Sequence, residues 1–203
     1  MADRVCFVSH EATLTGAPMS LLQLLRWLRA NSDLALEVIV LERGDDGGRL
    51  LADFEAVAPT AVAGAGDLPV GRLSEVDVLY LNSVFSARAL DGLGAGAYVI
   101  ARVPELGMVF RHHLPAEDRD HLLRRANRFI AVSDRVRAML VDDLDVAPEK
   151  VVRIHGFVDP AAFEGATPAA GRAVRRELGI PEDAAVVGGS GTTDWRKGPD
   201  LFV

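Results

Sequence analysis

The chain has 203 residues, of which 49% are hydrophobic, and a formal net charge of −7 from 22 Lys and Arg against 29 Asp and Glu. This length suffices for one α/β domain with a sizeable core, and the apolar share excludes an intrinsically disordered chain. The acidic balance argues against a nucleic-acid partner, because such binding relies on basic surface to neutralise phosphates.

Cys6 is the single cysteine, so no intrachain disulfide can form. It lies in an apolar run, which predicts a buried and unreactive thiol. A reducing, cytoplasmic location is therefore expected. The N-terminal stretch has no long apolar segment typical of a signal peptide or a membrane span, which leaves peripheral membrane association open.

Short apolar runs alternate with helical stretches along most of the chain. The predicted strands are Arg4–Ser9, Leu36–Leu41, Ala61–Ala63, Asp77–Leu81, Tyr98–Val103, Phe129–Val132 and Val151–His155. The predicted helices are Met19–Leu28, Arg49–Val57, Phe85–Leu93, residues 115–125 and Asp134–Asp142, with Ser133 as the N-cap of the last. Strands that are apolar along their whole length indicate burial on both faces, as in a parallel sheet. The alternation predicts an α/β fold, a Rossmann-like doubly wound parallel sheet.

A change of composition at Pro160–Gly171, rich in Ala, Gly and Pro, predicts an interdomain linker. Beyond it we predict a helix at Arg172–Leu178 that Gly179 terminates, a strand at Ala184–Gly188 and a helix that begins at Pro199. The expected organisation is one domain over residues 1–165, followed by a hinge and the start of a second domain over residues 166–203.

Polar groups follow several of the predicted strands. Gly16 and Ala17 lie in the first loop, where a glycine lets backbone approach a ligand and the next helix offers N–H groups. Asn82 and Ser83 follow the fourth strand, and Glu105 follows the fifth. Because ligands of open α/β sheets bind at the carboxyl ends of strands, these residues are candidates for binding substrate hydroxyls.

A third cluster, in residues 186–198, combines a Gly/Ser/Thr loop with two cations. Gly191, Thr192, Arg196 and Lys197 are the candidates for binding a pyrophosphate. The loop is not a Walker A motif, because its lysine precedes the glycine. The adjacent histidines 112 and 113 have no cysteine or carboxylate at ligand spacing, so no metal site is predicted.

Three stretches in order resemble glycosyltransferase family 4 of the GT-B fold. They are the glycine loop with its leucine-rich helix at Gly16–Leu28, the passage from Phe129 to Asp159 that is similar to "IAVS … PEKV … IPNGVD", and the passage from Arg175 to Gly198 that is similar to "LRRELGLP … VG-GR-EKG". The resemblance covers most of the chain.

The resemblance implies a retaining glycosyltransferase of the hexosyltransferase type. It implies that this chain is the N-terminal, acceptor-binding portion of such an enzyme. It further implies a UDP- or GDP-sugar as the donor substrate, without a further cofactor. The implied acceptor is a sugar or a lipid-linked molecule. By resemblance, Gly16 borders the donor phosphates and Lys197 neutralises the diphosphate leaving group. The sequence departs from the family pattern at Pro104, His155 and Thr192, and Arg196 is the candidate replacement cation. The isolated fragment is expected to be inactive.

Two alternatives remain open at this point. An NAD(P)-dependent Rossmann oxidoreductase is favoured by Glu42 at the end of the second strand, where a ribose-binding acid would lie, but the first loop lacks Gly-x-Gly-x-x-Gly. A non-catalytic sugar-binding module is favoured by Pro104 and Thr192.

Overall fold

The computed structural model describes residues 4–63, 68, 70–189, 191 and 198–202. The chain divides into two compact units, Met1–Val158 and Asp159–Val203. The acceptor-side and donor-side assignments of the two predicted domains stay predictions.

The first unit is built on a parallel sheet of seven strands. They are β1 Arg4–Ser9, β2 Ala35–Val40, β3 Thr60–Val62, β4 Val78–Asn82, β5 Tyr98–Val103, β6 Arg128–Ala131 and β7 Val151–Arg153. The strand order is β3-β2-β1-β4-β5-β6-β7. In the register, Ser9 lies beside Asn82, and Asn82 lies beside Arg102, so the carboxyl ends of β1, β4 and β5 are level.

Helices connect the strands in the first unit. They are α1 Gly16–Asn31, α2 Leu51–Val57, α3 Val70–Leu73, a 3₁₀ helix at Val84–Gly92, α4 Gly107–His112, α5 Ala116–Arg125, α6 Asp134–Ala138 with a π-helical continuation at Met139–Asp143, and a 3₁₀ turn at Pro148–Lys150. Ser133 caps α6 as predicted, because its hydroxyl accepts a hydrogen bond from the Val136 N–H.

Two hydrophobic cores, one on each face of the sheet, show that the fold is doubly wound. On one face, α1 and α2 pack through Leu21, Leu25 and Phe54 against alternate strand residues such as Phe7 and Tyr80. On the other face, the opposite alternate residues pack against the 3₁₀ helix, α5 and α6. Side chains of a strand alternate between faces, so a strand apolar at every position is buried on both sides. The predicted fold class is confirmed.

Several predicted elements differ from the structure. The segment after β4 is a 3₁₀ helix rather than an α-helix, and α3 and α4 are short helices that the sequence pattern did not predict. The predicted helix at Asp134–Asp142 widens to π geometry after Ala138. Elements of one or two turns leave almost no periodicity to detect, so tertiary packing decides their form.

The second unit contains a 3₁₀ turn at Pro160–Phe163, α7 Pro168–Glu177 and α8 Pro199–Phe202. The predicted linker is wrong over its last residues, since α7 begins four residues before Arg172 with Thr167 as N-cap and Pro168 as its first residue. Gly179 follows the helix at φ +67°, the left-handed conformation predicted for a terminating glycine.

The strand predicted at Ala184–Gly188 is wrong, because this segment is irregular. A strand needs a neighbour to satisfy its backbone groups, and the described residues of the second unit contain no other strand. Val187 accordingly remains 82% exposed.

No helix in the described part of the chain is both long and apolar enough to cross a membrane.

Candidate functional site

The strand order creates a crevice at the carboxyl edge of the sheet between β1 and β4. From β1 the chain continues into α1 over one face, whereas from β4 it continues into the 3₁₀ helix over the other face. The two connections therefore diverge outside the strand ends. Such a switch point is where open α/β sheets bind ligands.

Asn82 ties the two sides of this crevice together. Its side-chain amide N–H donates to the Ala17 carbonyl at 2.9 Å, and its side-chain carbonyl accepts from Arg102 Nη1 at 3.2 Å. The residue is fully buried. Both ends of the amide are thus engaged within the protein, and Asn82 positions the first turn of α1. Its predicted direct contact with acceptor hydroxyls stays a prediction.

Ser83 and Glu105 form a hydrogen-bonded pair at the same edge. The Ser83 hydroxyl, which is buried, donates to Glu105 Oε1 at 2.5 Å, and the Val84 N–H donates to Glu105 Oε2 at 3.3 Å. Burial raises the pKa of the Glu105 carboxyl above its ordinary value, although the bonds from Ser83 and Val84 and the charge of Arg102 act in the opposite direction.

The Ser83 backbone is held at φ +92°, a conformation that residues other than glycine rarely adopt. Strain of this kind persists only where surrounding contacts enforce it, and it concentrates at functional sites. The contacts of Ser83 include the hydroxyl bond to Glu105 and two backbone bonds, from its N–H to the Arg102 carbonyl at 3.0 Å and from the Ser86 N–H to its carbonyl at 3.1 Å. The structure therefore brings together the predicted residues Ser83 and Glu105 on neighbouring strand ends.

Gly16 is the first residue of α1, and the space beside it is open. A Cβ added at Gly16 would meet no heavy atom within 4 Å, and Gly16 is not among the glycines of positive φ. Neither a tight turn nor internal packing therefore requires a glycine here. The missing side chain therefore leaves the N-terminus of α1 accessible, and the predicted contact of Gly16 with a ligand stays a prediction.

The loop between β1 and α1 is organised by Glu11, which sequence reasoning missed. Glu11 Oε1 accepts hydrogen bonds from the Thr13 hydroxyl at 2.7 Å and the Thr15 hydroxyl at 3.0 Å. Thr15 is the N-cap of α1. A carboxylate of the chain itself thus lies at the position where the helix favours negative charge.

His10 also lies at this edge, directly after β1, and it too was missed. Its Nε2 is 3.4 Å from Glu11 Oε1, whereas its Nδ1 is buried and has no hydrogen-bond partner in the described part of the chain. Burial lowers the pKa of His10, although Glu11 acts in the opposite direction. The only signal in the sequence was a polar residue immediately after a buried strand.

A cavity of about 200 Å³ opens beside His10, and we name it the Phe85 cavity. Its lining residues are His10, Leu41, Glu42, Phe85 and Arg88. Phe85 and Arg88 project to the same side because a 3₁₀ helix has three residues per turn. Arg88 Nη1 lies 3.2 Å from Glu42 Oε1, and Arg88 Nη2 donates to the Leu41 carbonyl at 2.9 Å.

A larger cavity, of about 440 Å³, lies on the α1 face of the sheet. Its walls are mainly apolar, including Phe7, Leu24, Ile100 and Ile130, and Arg102 lies among its few polar side chains. Ser20, Tyr80, Asn82 and His155 also line this cavity, so its wall includes side chains of types that take part in acid–base chemistry.

The predicted phosphate-binding cluster belongs to the second unit. Gly191 is exposed with φ +152°, and Thr192, Arg196 and Lys197 lie outside the described residues. Among the residues that the structure describes, no three His, Cys, Asp or Glu side chains are grouped as metal ligands would be. Cys6 is fully buried, as predicted, and burial raises the pKa of its thiol to about 12.

No protein-family model matches the chain. Two curated proteins are similar in sequence. One is the D-inositol 3-phosphate glycosyltransferase of Stackebrandtia nassauensis, 34% identical over 117 residues, which are 53% of this chain and 24% of that relative. The other is D-inositol 3-phosphate glycosyltransferase 1 of Catenulispora acidiphila, 28% identical over 153 residues, which are 68% of this chain and 36% of that relative.

Two solved structures share the fold. Anabaena Alr3699/HepE in complex with UDP and glucose matches with a TM-score of 0.64 at 18% identity, over 87% of this chain and 50% of that chain. A glycosyltransferase from Rickettsia africae matches with a TM-score of 0.59 at 14% identity, over 90% of this chain and 51% of that chain. The chain thus spans about a quarter to a third of these curated relatives and half of these solved chains.

Proposed function

We propose that this chain is the acceptor-side portion of a glycosyltransferase that transfers a sugar from a nucleotide-sugar donor to an acceptor. The observation that carries the proposal is the crevice between β1 and β4, where the Asn82–Ala17 and Ser83–Glu105 contacts fix two loops around an open helix N-terminus. An ordered polar rim at a switch point is suited to a polyhydroxylated substrate.

The similar proteins support this assignment. Two curated relatives are named as glycosyltransferases, and Alr3699/HepE was solved both with UDP and glucose and with UDP-glucose. From them and from the sequence resemblance we propose membership of family 4, a retaining mechanism, transfer of a hexosyl group and a UDP- or GDP-sugar as donor, with neither a metal nor a further cofactor.

Each part of the crevice has a proposed role. Gly16 admits the donor phosphates or the acceptor to the N-terminus of α1, whose dipole favours negative charge. Glu105 holds Ser83 and Val84, and so fixes the start of the 3₁₀ helix beside the acceptor. Separately from the crevice residues, Lys197 and Arg196 of the second unit are proposed, by resemblance alone, to stabilise the charge that builds on the leaving diphosphate.

The proposed acceptor is a sugar or a lipid-linked molecule, and the proposed location is the cytoplasm, with peripheral attachment to a membrane as one arrangement. In the curated relatives, the printed names specify a phosphorylated cyclitol.

The test measures sugar transfer from UDP- and GDP-sugars by the 203-residue chain and, where the reading frame continues, by the longer protein. The longer protein is expected to release UDP or GDP in the presence of an acceptor, and the 203-residue chain is expected to be inactive. Absence of transfer from every donor, combined with tight NADH binding measured by fluorescence, would replace the proposal with an oxidoreductase. Sugar binding without transfer would leave a non-catalytic module.

A further inference from the structure

We propose that the Phe85 cavity binds an uncharged polyhydroxylated ring of the acceptor and discriminates against its phosphorylated form. The inference rests on the proposed function and specifies the substrate class of the same crevice. It follows from the shape of the cavity, from the partners that its charged groups already have and from the carboxylates around it.

The walls of the cavity suit a single saturated ring. The ring centroids of His10 and Phe85 are 5.8 Å apart and the ring planes are tilted by 42°, and the two rings offer apolar surface for the C–H groups of a sugar. The volume of about 200 Å³ falls below the roughly 300–1,000 Å³ of sites for drug-sized ligands. One ring, rather than an extended ligand, matches this space.

The polar groups of the cavity suit hydroxyls, which both donate and accept hydrogen bonds. Glu42 keeps 67% of its side chain exposed and can accept from a hydroxyl, while Arg88, 34% exposed, can donate to one. The ion pair holds both side chains in place. A carboxylate and a guanidinium fixed side by side can therefore bind two neighbouring hydroxyls of one ring.

The same groups are poorly suited to a phosphate. Tight phosphate recognition by arginine uses two parallel N–H bonds from its terminal nitrogens. Two of the five N–H donors of Arg88 already point to Glu42 and to the Leu41 carbonyl, one from each terminal nitrogen, which leaves donors for a hydroxyl but restricts a paired contact with a phosphate. Glu42 also compensates the guanidinium charge, and Arg88 is the one Lys or Arg among the described residues that line the Phe85 cavity.

The surroundings add negative charge. Glu11 Oε1 lies 3.4 Å from His10 Nε2 and accepts a hydrogen bond from the hydroxyl of Thr15, the N-cap of α1. Burial lowers the pKa of His10, which disfavours a charged ring in the cavity wall. Arg88 is paired with Glu42, whereas the Glu11 carboxylate lies against His10 and adds negative charge beside the cavity.

The experiment is a set of titrations of the isotopically labelled 203-residue chain, followed by NMR at low salt and neutral pH. The probes are methyl α-glucoside against glucose 6-phosphate, and myo-inositol against its monophosphate. Each neutral probe is expected to shift the ring signals of His10 and Phe85, and to bind at least about ten-fold more tightly than its phosphate, a ratio that corresponds to about 1.4 kcal/mol.

Three variants locate the binding. Arg88→Gln and Phe85→Leu are each expected to weaken binding of the neutral probes about ten-fold, because they remove a charged donor or the flat ring. The matched control is Arg26→Gln, which removes an arginine from another exposed ion pair, 2.6 Å from Asp53 on α2, and should leave binding unchanged. If Arg88→Gln does not fold, Phe85→Leu decides the question.

Three results would overturn the inference: tighter binding of the phosphates, absence of neutral-probe binding at any soluble concentration, and equal binding by Phe85→Leu and Arg26→Gln. The proposed function fails separately. Binding of a neutral ring by a longer protein that transfers no sugar would contradict only the glycosyltransferase proposal. Transfer exclusively to phosphorylated acceptors would contradict only the preference for an uncharged ring.

Discussion

Replacing Glu105 by alanine is expected to destabilise the first unit, because two buried donors lose their acceptor. These are the Ser83 hydroxyl, at 2.5 Å from Oε1, and the Val84 N–H, at 3.3 Å from Oε2. Ser83 and Val84 are each only 1% exposed, so both donors depend on this carboxylate for a partner within the protein. A buried donor without a partner costs about 1–3 kcal/mol, and with the second bond long and weak the expected loss is about 2–4 kcal/mol.

The Glu105→Gln variant separates hydrogen bonding from charge. Its amide oxygen can still accept from Ser83, so the expected loss is only about 1 kcal/mol at neutral pH. Burial raises the folded-state pKa of Glu105, so the folded state holds this proton more tightly than the unfolded state does. The resulting stabilisation is complete below the unfolded pKa of about 4.3 and is lost as pH rises through the folded pKa.

The assay is urea unfolding of the 203-residue chain, followed by far-UV circular dichroism at several pH values from about 4 to 8, a range that begins near the ordinary pKa of glutamate. The stability advantage of the wild type over Glu105→Gln should shrink as pH rises. Glu75→Gln, which changes a side chain that is 70% exposed and paired with Arg4, is the control and should have little effect. An alanine variant as stable as the wild type, or an advantage that grows with pH, would refute the reasoning.

Three further predictions concern residues near β1. Gly16→Ala should raise the free energy of unfolding by about 0.4–1 kcal/mol, because the added methyl meets no atom and restricts the unfolded chain. It should also weaken binding of a UDP- or GDP-sugar by the longer protein, and unchanged affinity would remove the proposed role of the open space. His10 should titrate below its ordinary value of about 6.5 in an NMR pH titration, and a higher pKa would contradict the burial argument. Cys6 should resist iodoacetamide in the native chain and react in urea, because its thiol is buried and burial raises its pKa to about 12. Rapid labelling of the native chain would contradict this prediction and would show that the core opens.

The main strands could be predicted from the sequence because their signal is local. Arg4–Ser9 and Tyr98–Val103 have the predicted limits, and even the three-residue strand at Thr60–Val62 lies within one residue of its prediction. An uninterrupted apolar run indicates burial on both faces of the sheet, and this pattern can be seen in the sequence of each strand alone. Residues Ala184–Gly188 have the same local pattern, but the strand predicted there is wrong. A strand needs a second strand to pair with, and the local pattern carries no information about that second strand.

The candidate site was predicted only in part. Four residues were predicted as substrate-binding candidates because they follow strands or open a helix, and all four lie at the carboxyl edge of the sheet: Gly16, Asn82, Ser83 and Glu105. The hydrogen-bond partners of each of these residues could not be predicted from the sequence. The two partners of Asn82 come from different parts of the chain: Arg102 lies beside it on the neighbouring strand β5, whereas Ala17 is 65 residues away in sequence and is brought near by the pairing of β1 with β4.

By itself, the sequence determined the alternation of strands and helices, the burial of both sheet faces and the set of polar residues that follow the strands. Tertiary structure alone decided the strand order, and with it the switch point between β1 and β4. It also placed His10, Glu42 and Arg88, from three separate connections, around one cavity. Periodicity is encoded in neighbouring residues, whereas contacts between distant residues exist only once the sheet has aligned the strand ends.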